Sequence, residues 1–108
     1  MLQNFQPVLV STSCDKKEDA HNIGQRLLTK RLAACVQISA PILSLYWWQG
    51  KIAEDGEYVI AMKSDRRLFD QLVKEIRLIH PYEVPEIIAI PIVAVDHDYG
   101  NWVQEEIR

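Results

Sequence analysis
The sequence predicts an α+β sandwich, an antiparallel sheet with helices packed on it. Three observations carry this. Apolar residues recur at helical spacing in two separate stretches, Ala20 to Leu28 and Leu68 to Ile79. Runs rich in β-branched and aromatic residues stand before, between and after them. Turn and proline signals punctuate the chain at the expected joints.

The elements follow in order. Pro7 to Cys14, PVLVSTSC, reads as a strand. Asp15 then offers a cap, with Glu18 three residues on as in a capping box. Ala20, Ile23, Leu27 and Leu28 form the stripe of a helix that ends near Lys30-Arg31, where positive charge suits the C-terminal dipole. Ala34 to Trp48 reads as one long strand, with Pro41 bending it or marking a bulge on a sheet edge. Gln49-Gly50-Lys51 is a turn and Asp55-Gly56 a second turn signal. Glu57 to Lys63 returns as a strand. Tyr46, Trp47 and Trp48 are consecutive, so a strand turns large apolar groups to both its faces. A small monomer covers only one.

Ser64-Asp65 is the expected cap of a second helix, whose stripe is Leu68, Phe69, Leu72, Val73, Ile76 and Ile79. Arg66 and Arg67 in its first turn oppose the dipole and call for another partner. His80-Pro81 stops the helix, and residues 82–86 form a proline-bounded loop. Ile87 to Val95 is apolar on both faces, as in a central or interface strand, though Pro91 implies a break in pairing. Asp96 or Asp98 caps a last helix with Tyr99, Trp102, Val103 and Ile107 on one face. The order βαββαβα contains two βαβ-type halves, the ferredoxin-like arrangement, in one domain spanning 1–108. That fold hosts many functions and decides none.

Composition narrows the functional classes. The 108 residues are 48% hydrophobic and 25% charged, enough to fill a core without disulfides or a structural metal. Twelve basic and fifteen acidic side chains leave a net charge of −3 without a basic footprint, which argues against nucleic acid or an anionic membrane as partner. The longest apolar run is nine residues, and a membrane-spanning helix needs about 20. No secretory signal is visible at the N-terminus, and the two cysteines form no disulfide framework, so a cytoplasmic setting is expected.

Thiolate and imidazole suit soft or borderline metals. Cys14 ends the first strand just before a helix N-terminus, a position expected to expose the sulfur and lower its pKa. A plain strand-end residue is the other reading. Cys35 enters an apolar strand and reads as a buried small hydrophobe. His80 is either a helix-end dipole partner or packed ring, or it joins Glu83, three residues on, at an ion or substrate. Cys14, His80 and Glu83 all sit next to strand or helix ends and form a ligand set compatible with copper. His21 and His97 read as solvated. Glu57, Lys63 and Glu86 read as surface ion pairs, except that a carboxylate buried at a subunit junction would be available for acid–base work. No GxSxG, P-loop or GxGxxG is present, so an enzyme is not expected.

Several segments resemble the CutA family of divalent-cation tolerance proteins. They are Leu32-Ala33-Ala34-Cys35-Val36, Ser44-Leu45-Tyr46-Trp47-Trp48-Gln49-Gly50-Lys51, Glu57, His80-Pro81-Tyr82-Glu83-Val84-Pro85-Glu86-Ile87, and the closing Tyr99 and Trp102. The resemblance covers about residues 8 to 103. It implies a ferredoxin-like subunit in a tight homotrimer, long strands packing across subunits, and a cytoplasmic role in tolerance to copper and other divalent cations. It also implies copper binding by a cysteine near the end of the first strand and by the His-Pro-Tyr region, matched here by Cys14 and His80. Ser64 and Gly100 depart from the family's usual residues. A second reading is a trimer like the PII signalling proteins, which senses a small molecule in the cleft between subunits.

Overall fold
The strands form where β-branched and aromatic residues concentrate, and one of them organises the rest. The computed structural model describes residues 4–108. Strand β1 (Pro7–Cys14) leads into helix α1 (Lys17–Thr29); β2 (Cys35–Ile38), β3 (Ile42–Trp48) and β4 (Lys51–Asp65) follow. A 3-10 turn at Arg66–Leu68 opens α2 (Phe69–Ile79), and β5 (Ile87–Pro91) and α3 (His97–Glu106) close the chain. The sheet order is β2-β4-β1-β5, with β3 paired to the far half of β4, and every pairing is antiparallel. With β2 and β3 taken as one interrupted strand, this is the ferredoxin-like sandwich plus a C-terminal helix.

The 15 residues of β4 span about 50 Å at the rise of an extended chain. The molecule's longest dimension is 47 Å against 25 and 24 Å for the others. β4 therefore runs the length of the subunit. Its second half lies between β1 and β2, and its first half extends outward with β3 as a two-stranded ribbon.

Strand alternation selects the core. Val8, Val10, Thr12 and Cys14 of β1 and Ile60, Met62 and Ser64 of β4 share one buried face. Ala20, Ile23 and Leu27 of α1, Leu68, Leu72 and Ile76 from the second helical stretch, and Val103 and Ile107 at the chain end complete the core. Leu28, expected in the α1 stripe, is 41% exposed. Tyr99 and Trp102 are largely exposed and lie ring to ring at 5.6 Å, so only Val103 and Ile107 of the expected last face are buried.

Several joints differ from the sequence expectation for local physical reasons. The stretch Ala34 to Trp48 is two strands, because Pro41 has no N–H to give to a ladder. Ser39 bridges the gap: its N–H donates to the Val59 carbonyl, and its hydroxyl accepts from the Val59 N–H, both at 2.9 Å. Asp55-Gly56 is no turn but lies inside β4, where Asp55 pairs with Ser44 and Gly56 with Leu43. The hairpin is instead made at Gln49-Gly50, where both residues take positive φ, 51° and 79°, the conformation that a two-residue connection requires.

α1 is preceded by Lys16 with no side-chain cap, so the expected Asp15 capping box is not formed. Asp65, not Ser64, caps the next turn: its carboxylate accepts from the Arg67 N–H at 3.1 Å and pairs with the Arg67 guanidinium at 3.0 Å. Arg66 lies over the Phe69 ring at 5.6 Å. Those contacts hold both arginines against an unfavourable dipole. The Ser64 hydroxyl instead donates to the Leu32 carbonyl at 2.6 Å. β5 stops at Pro91 rather than Val95, and among the described residues it is an edge strand paired only with β1. Asp96 caps α3 through the Tyr99 N–H at 3.1 Å. No helix among the described residues is long and apolar enough to cross a membrane.

Gly24 on α1 sets how closely that helix approaches β2. A Cβ there would stand 2.8 Å from Cγ1 of Val36, a side chain with little freedom at χ1. Gly24→Ala is expected to lower stability by about 1 kcal/mol, overpacking outweighing alanine's better helix propensity, read as a lower urea midpoint.

Candidate functional site
The site grows from the same alternation that builds the core. Cys14 shares parity with Val8, Val10 and Thr12 and is fully buried beneath the helices. Its thiol donates to the Lys16 carbonyl at 3.4 Å, and burial pushes its pKa upward. The expected exposed, acidified thiol is therefore corrected: the strand period turns this residue inward, and the helix that follows covers it. Ser13, one residue earlier, turns to the opposite face.

There Ser13 meets Glu57. This carboxylate is only 7% exposed. Its Oε2 accepts from the Ser13 hydroxyl at 3.3 Å and from the Tyr82 hydroxyl at 2.8 Å. Burial, and then the bond to Glu57, push the Tyr82 phenol well above its ordinary range, so it stays a donor.

His80 locks the loop that carries Tyr82. Its Nδ1 accepts from the Tyr82 N–H at 3.0 Å. Nε2 therefore carries the proton and faces the Ser13 carbonyl at 2.9 Å. The two rings meet edge to face with centroids 4.9 Å apart. Burial lowers the His80 pKa, so the neutral ring is favoured. His80 thus fixes the end of α2 to the end of β1 and presents Tyr82 to Glu57.

Beyond this network opens a cleft of about 630 Å³. Glu57, Asp15, Asp55, Glu83 and Glu86 bring five carboxylates to it. Tyr46, Trp48 and Tyr82 supply aromatic walls. No Lys, Arg or His is among its described lining residues. The Tyr46 hydroxyl donates to Asp55, which ties the ribbon's two strands together across the cleft wall.

Of the three expected metal-binding residues, only the exposed Glu83 lines this cleft. Cys14 is sealed in the core, and both ring nitrogens of His80 are engaged with backbone. Among the described residues, no three His, Cys, Asp or Glu side chains come together to hold a metal ion. As they stand in one subunit, Cys14, His80 and Glu83 do not fit a copper ion: a protonated buried thiol and an imidazole without a free lone pair cannot ligate. Cys35 is half-buried rather than enclosed, while His21 and His97 are exposed as expected. Sequence reasoning missed Ser13, Tyr82 and Asp55 as site residues. Strand parity marks two of them: Ser13 faces opposite to Cys14, and Asp55, two residues before Glu57, shares its face of β4.

The described residues thus form a ferredoxin-like subunit with an outward ribbon and an acidic cleft beside it. The sequence profile of the family described as CutA1 divalent ion tolerance protein matches residues 8–106, and the chain belongs to this family. It is 37% identical over 97 residues to the "Divalent-cation tolerance protein CutA" of Thermus thermophilus, covering 90% of this chain and 94% of that one. It is 34% identical over 101 residues to "Protein CutA 1, chloroplastic" of Oryza sativa, covering 94% of this chain and 57% of the relative's length. A solved structure of the periplasmic divalent cation tolerance protein CutA from Archaeoglobus fulgidus superposes with a TM-score of 0.91 at 34% identity, covering 94% of this chain and 99% of that one.

A histidine held neutral in the fold contributes stability that is full above its unfolded pKa of about 6.5 and is lost as pH falls through the lower folded value. Urea unfolding is therefore expected to show a less stable protein near pH 5 than near pH 7.5. His80→Asn should flatten that difference.

Proposed function
We propose that the protein is a non-enzymatic, homotrimeric divalent-cation-handling protein whose working surface is the acidic cleft at Glu57. The observation that carries this reading is the gathering of five carboxylates and no basic group around one cleft. In such a concave site the negative field concentrates cations. The family's name supplies the biological direction, tolerance to divalent ions.

Trimerisation is supported by the ribbon's other face. Leu43, Leu45, Trp47 and Ile52 share it by register, and each is between 59% and 73% exposed. Burying side chains of this kind is worth roughly 1.5–3 kcal/mol each, so association has a large driving force. Ile88 and Ile90 on β5, and Val93 just beyond it, add exposed apolar groups. A cytoplasmic setting accords with two unpaired thiols. The names of the rice and Archaeoglobus relatives place those proteins in a chloroplast and a periplasm, so compartment varies among similar chains.

Copper is the ion we propose. Ligation by Cys14, His80 and Glu83 requires His80 to release either the Ser13 carbonyl or the Tyr82 N–H, and Cys14 to lose its proton. Ligation through the cleft carboxylates requires neither. A second reading, small-molecule sensing in the cleft as in PII-like trimers, is favoured by the cleft's volume and aromatic walls, which exceed what an ion uses.

Two measurements test the proposal. Sedimentation velocity at micromolar concentration is expected to show a trimer, and Trp47→Glu to shift it to monomer with the fold intact, since Trp47 is 73% exposed. A monomeric native protein would overturn the assembly. Isothermal titration with Cu²⁺ is expected to give binding that weakens about tenfold or more in Cys14→Ser if the thiol ligates. Unchanged affinity in that variant, with loss on Glu57→Gln, assigns the ion to the carboxylates.

A further inference from the structure
The ribbon has two chemically different faces. Register sets Ile42 opposite Glu57, Ser44 opposite Asp55, Tyr46 opposite Ala53 and Trp48 opposite Lys51, so these share one side, with Lys51 at the ribbon's tip and outside the cleft lining. Leu43, Leu45 and Trp47 share the other with Ile52. The apolar side is the one argued above to meet another subunit. The mixed side joins aromatic rings to carboxylates and belongs to the cleft.

Glu57 is the key to what the cleft accepts. It is more than nine-tenths buried, and both hydroxyls that reach it, Ser13 and Tyr82, donate to Oε2. Oε1 is left to accept from whatever enters the cleft. Its neighbours there are carboxylates and rings, so the field of the cleft favours a cationic N–H donor over a neutral one. A hard ion such as Ca²⁺ or Mg²⁺ is a poor match for this arrangement, and an ion alone leaves the aromatic walls unused. Hard cations take six or more oxygen ligands, and no three candidate side chains are assembled among the described residues. Anions are a worse match, since no basic group lines the cleft to receive a phosphate. An organic ammonium satisfies both features: its N–H groups answer Oε1, and its carbon skeleton covers the rings of Tyr46 and Trp48 through apolar and cation–π contact.

We propose that the cleft binds a small organic ammonium ion, its nitrogen on Glu57 Oε1 and its carbon face against Tyr46 and Trp48. This rests on the small-molecule reading of the cleft and names its ligand class. Neighbouring carboxylates, Asp55 and Glu86 among them, raise the local concentration of such a ligand without having to touch it.

Titration calorimetry on the whole protein with benzylammonium chloride tests this, with benzyl alcohol as the uncharged probe of equal size. Benzylammonium is expected to bind saturably, and benzyl alcohol at least about tenfold more weakly. Glu57→Gln removes the charge yet keeps an oxygen for Ser13 and Tyr82, and is expected to weaken benzylammonium about tenfold or more. Trp48→Leu, on the exposed ribbon, serves if circular dichroism finds Glu57→Gln misfolded, with an expected loss of about threefold or more.

Equal affinity for the two probes, absence of binding, or unchanged affinity in both variants overturns the proposal. Saturable binding of adenosine triphosphate in the cleft, with benzylammonium inert, preserves the small-molecule reading and overturns the ammonium assignment. Cu²⁺ binding with benzylammonium inert overturns the proposal and leaves the divalent-cation function standing. Benzylammonium binding in excess chelator, with Cu²⁺ inert, supports it and removes that function instead.

Discussion
One strand carries the structure. β4 pairs with β1, β2 and β3 in turn, and only β5 lies outside its reach. Period-two geometry means that a residue's position along β4 fixes its face, and pairing fixes who meets it there. Ile60, Met62 and Ser64 fall under the helices and are sealed. Beyond Glu57, toward the ribbon's tip, the strand leaves helical cover, and the same alternation now sets Leu43, Leu45, Trp47 and Ile52 on one side and Tyr46, Trp48, Asp55 and Glu57 on the other. Core and cleft are consequences of one register.

Glu57 stands at the border between these regimes. A carboxylate deep in the core would be costly without partners, and one at the tip of the ribbon would be ordinary surface. At the border it has two hydroxyl donors, from β1 and from the loop after α2, and one free oxygen. The donors come from segments far apart in sequence, held by His80 bridging the Ser13 carbonyl and the Tyr82 N–H. The histidine matters here as a brace. Its burial and its two backbone bonds oppose both protonation and metal ligation.

The fold was legible because its signals are periodic. The α2 stripe, the β1 run and the turn glycine at Gly50 each express a local rule, and the element order then leaves few topologies. Errors came where long-range pairing overrode local cues. Asp55-Gly56 resembles a turn, yet its pairing with Ser44 and Leu43 keeps it extended. Cys14 resembled an accessible thiol because strand ends are usually open, whereas parity with Val10 and Thr12 buries it. The consecutive Tyr46, Trp47 and Trp48 correctly announced large side chains on both faces of the ribbon. The cleft itself was illegible, because Ser13, Glu57 and Tyr82 meet only through tertiary contact, and no spacing in the chain encodes that meeting.

The break at Pro41 has a mechanical consequence. Ser39 splices β2 to β3 by a backbone and a side-chain bond to Val59, while β4 opposite runs on without interruption. The ribbon is therefore hinged on one rail only, and the continuous rail passes through Glu57. The far tip and the floor of the cavity therefore share one unbroken strand.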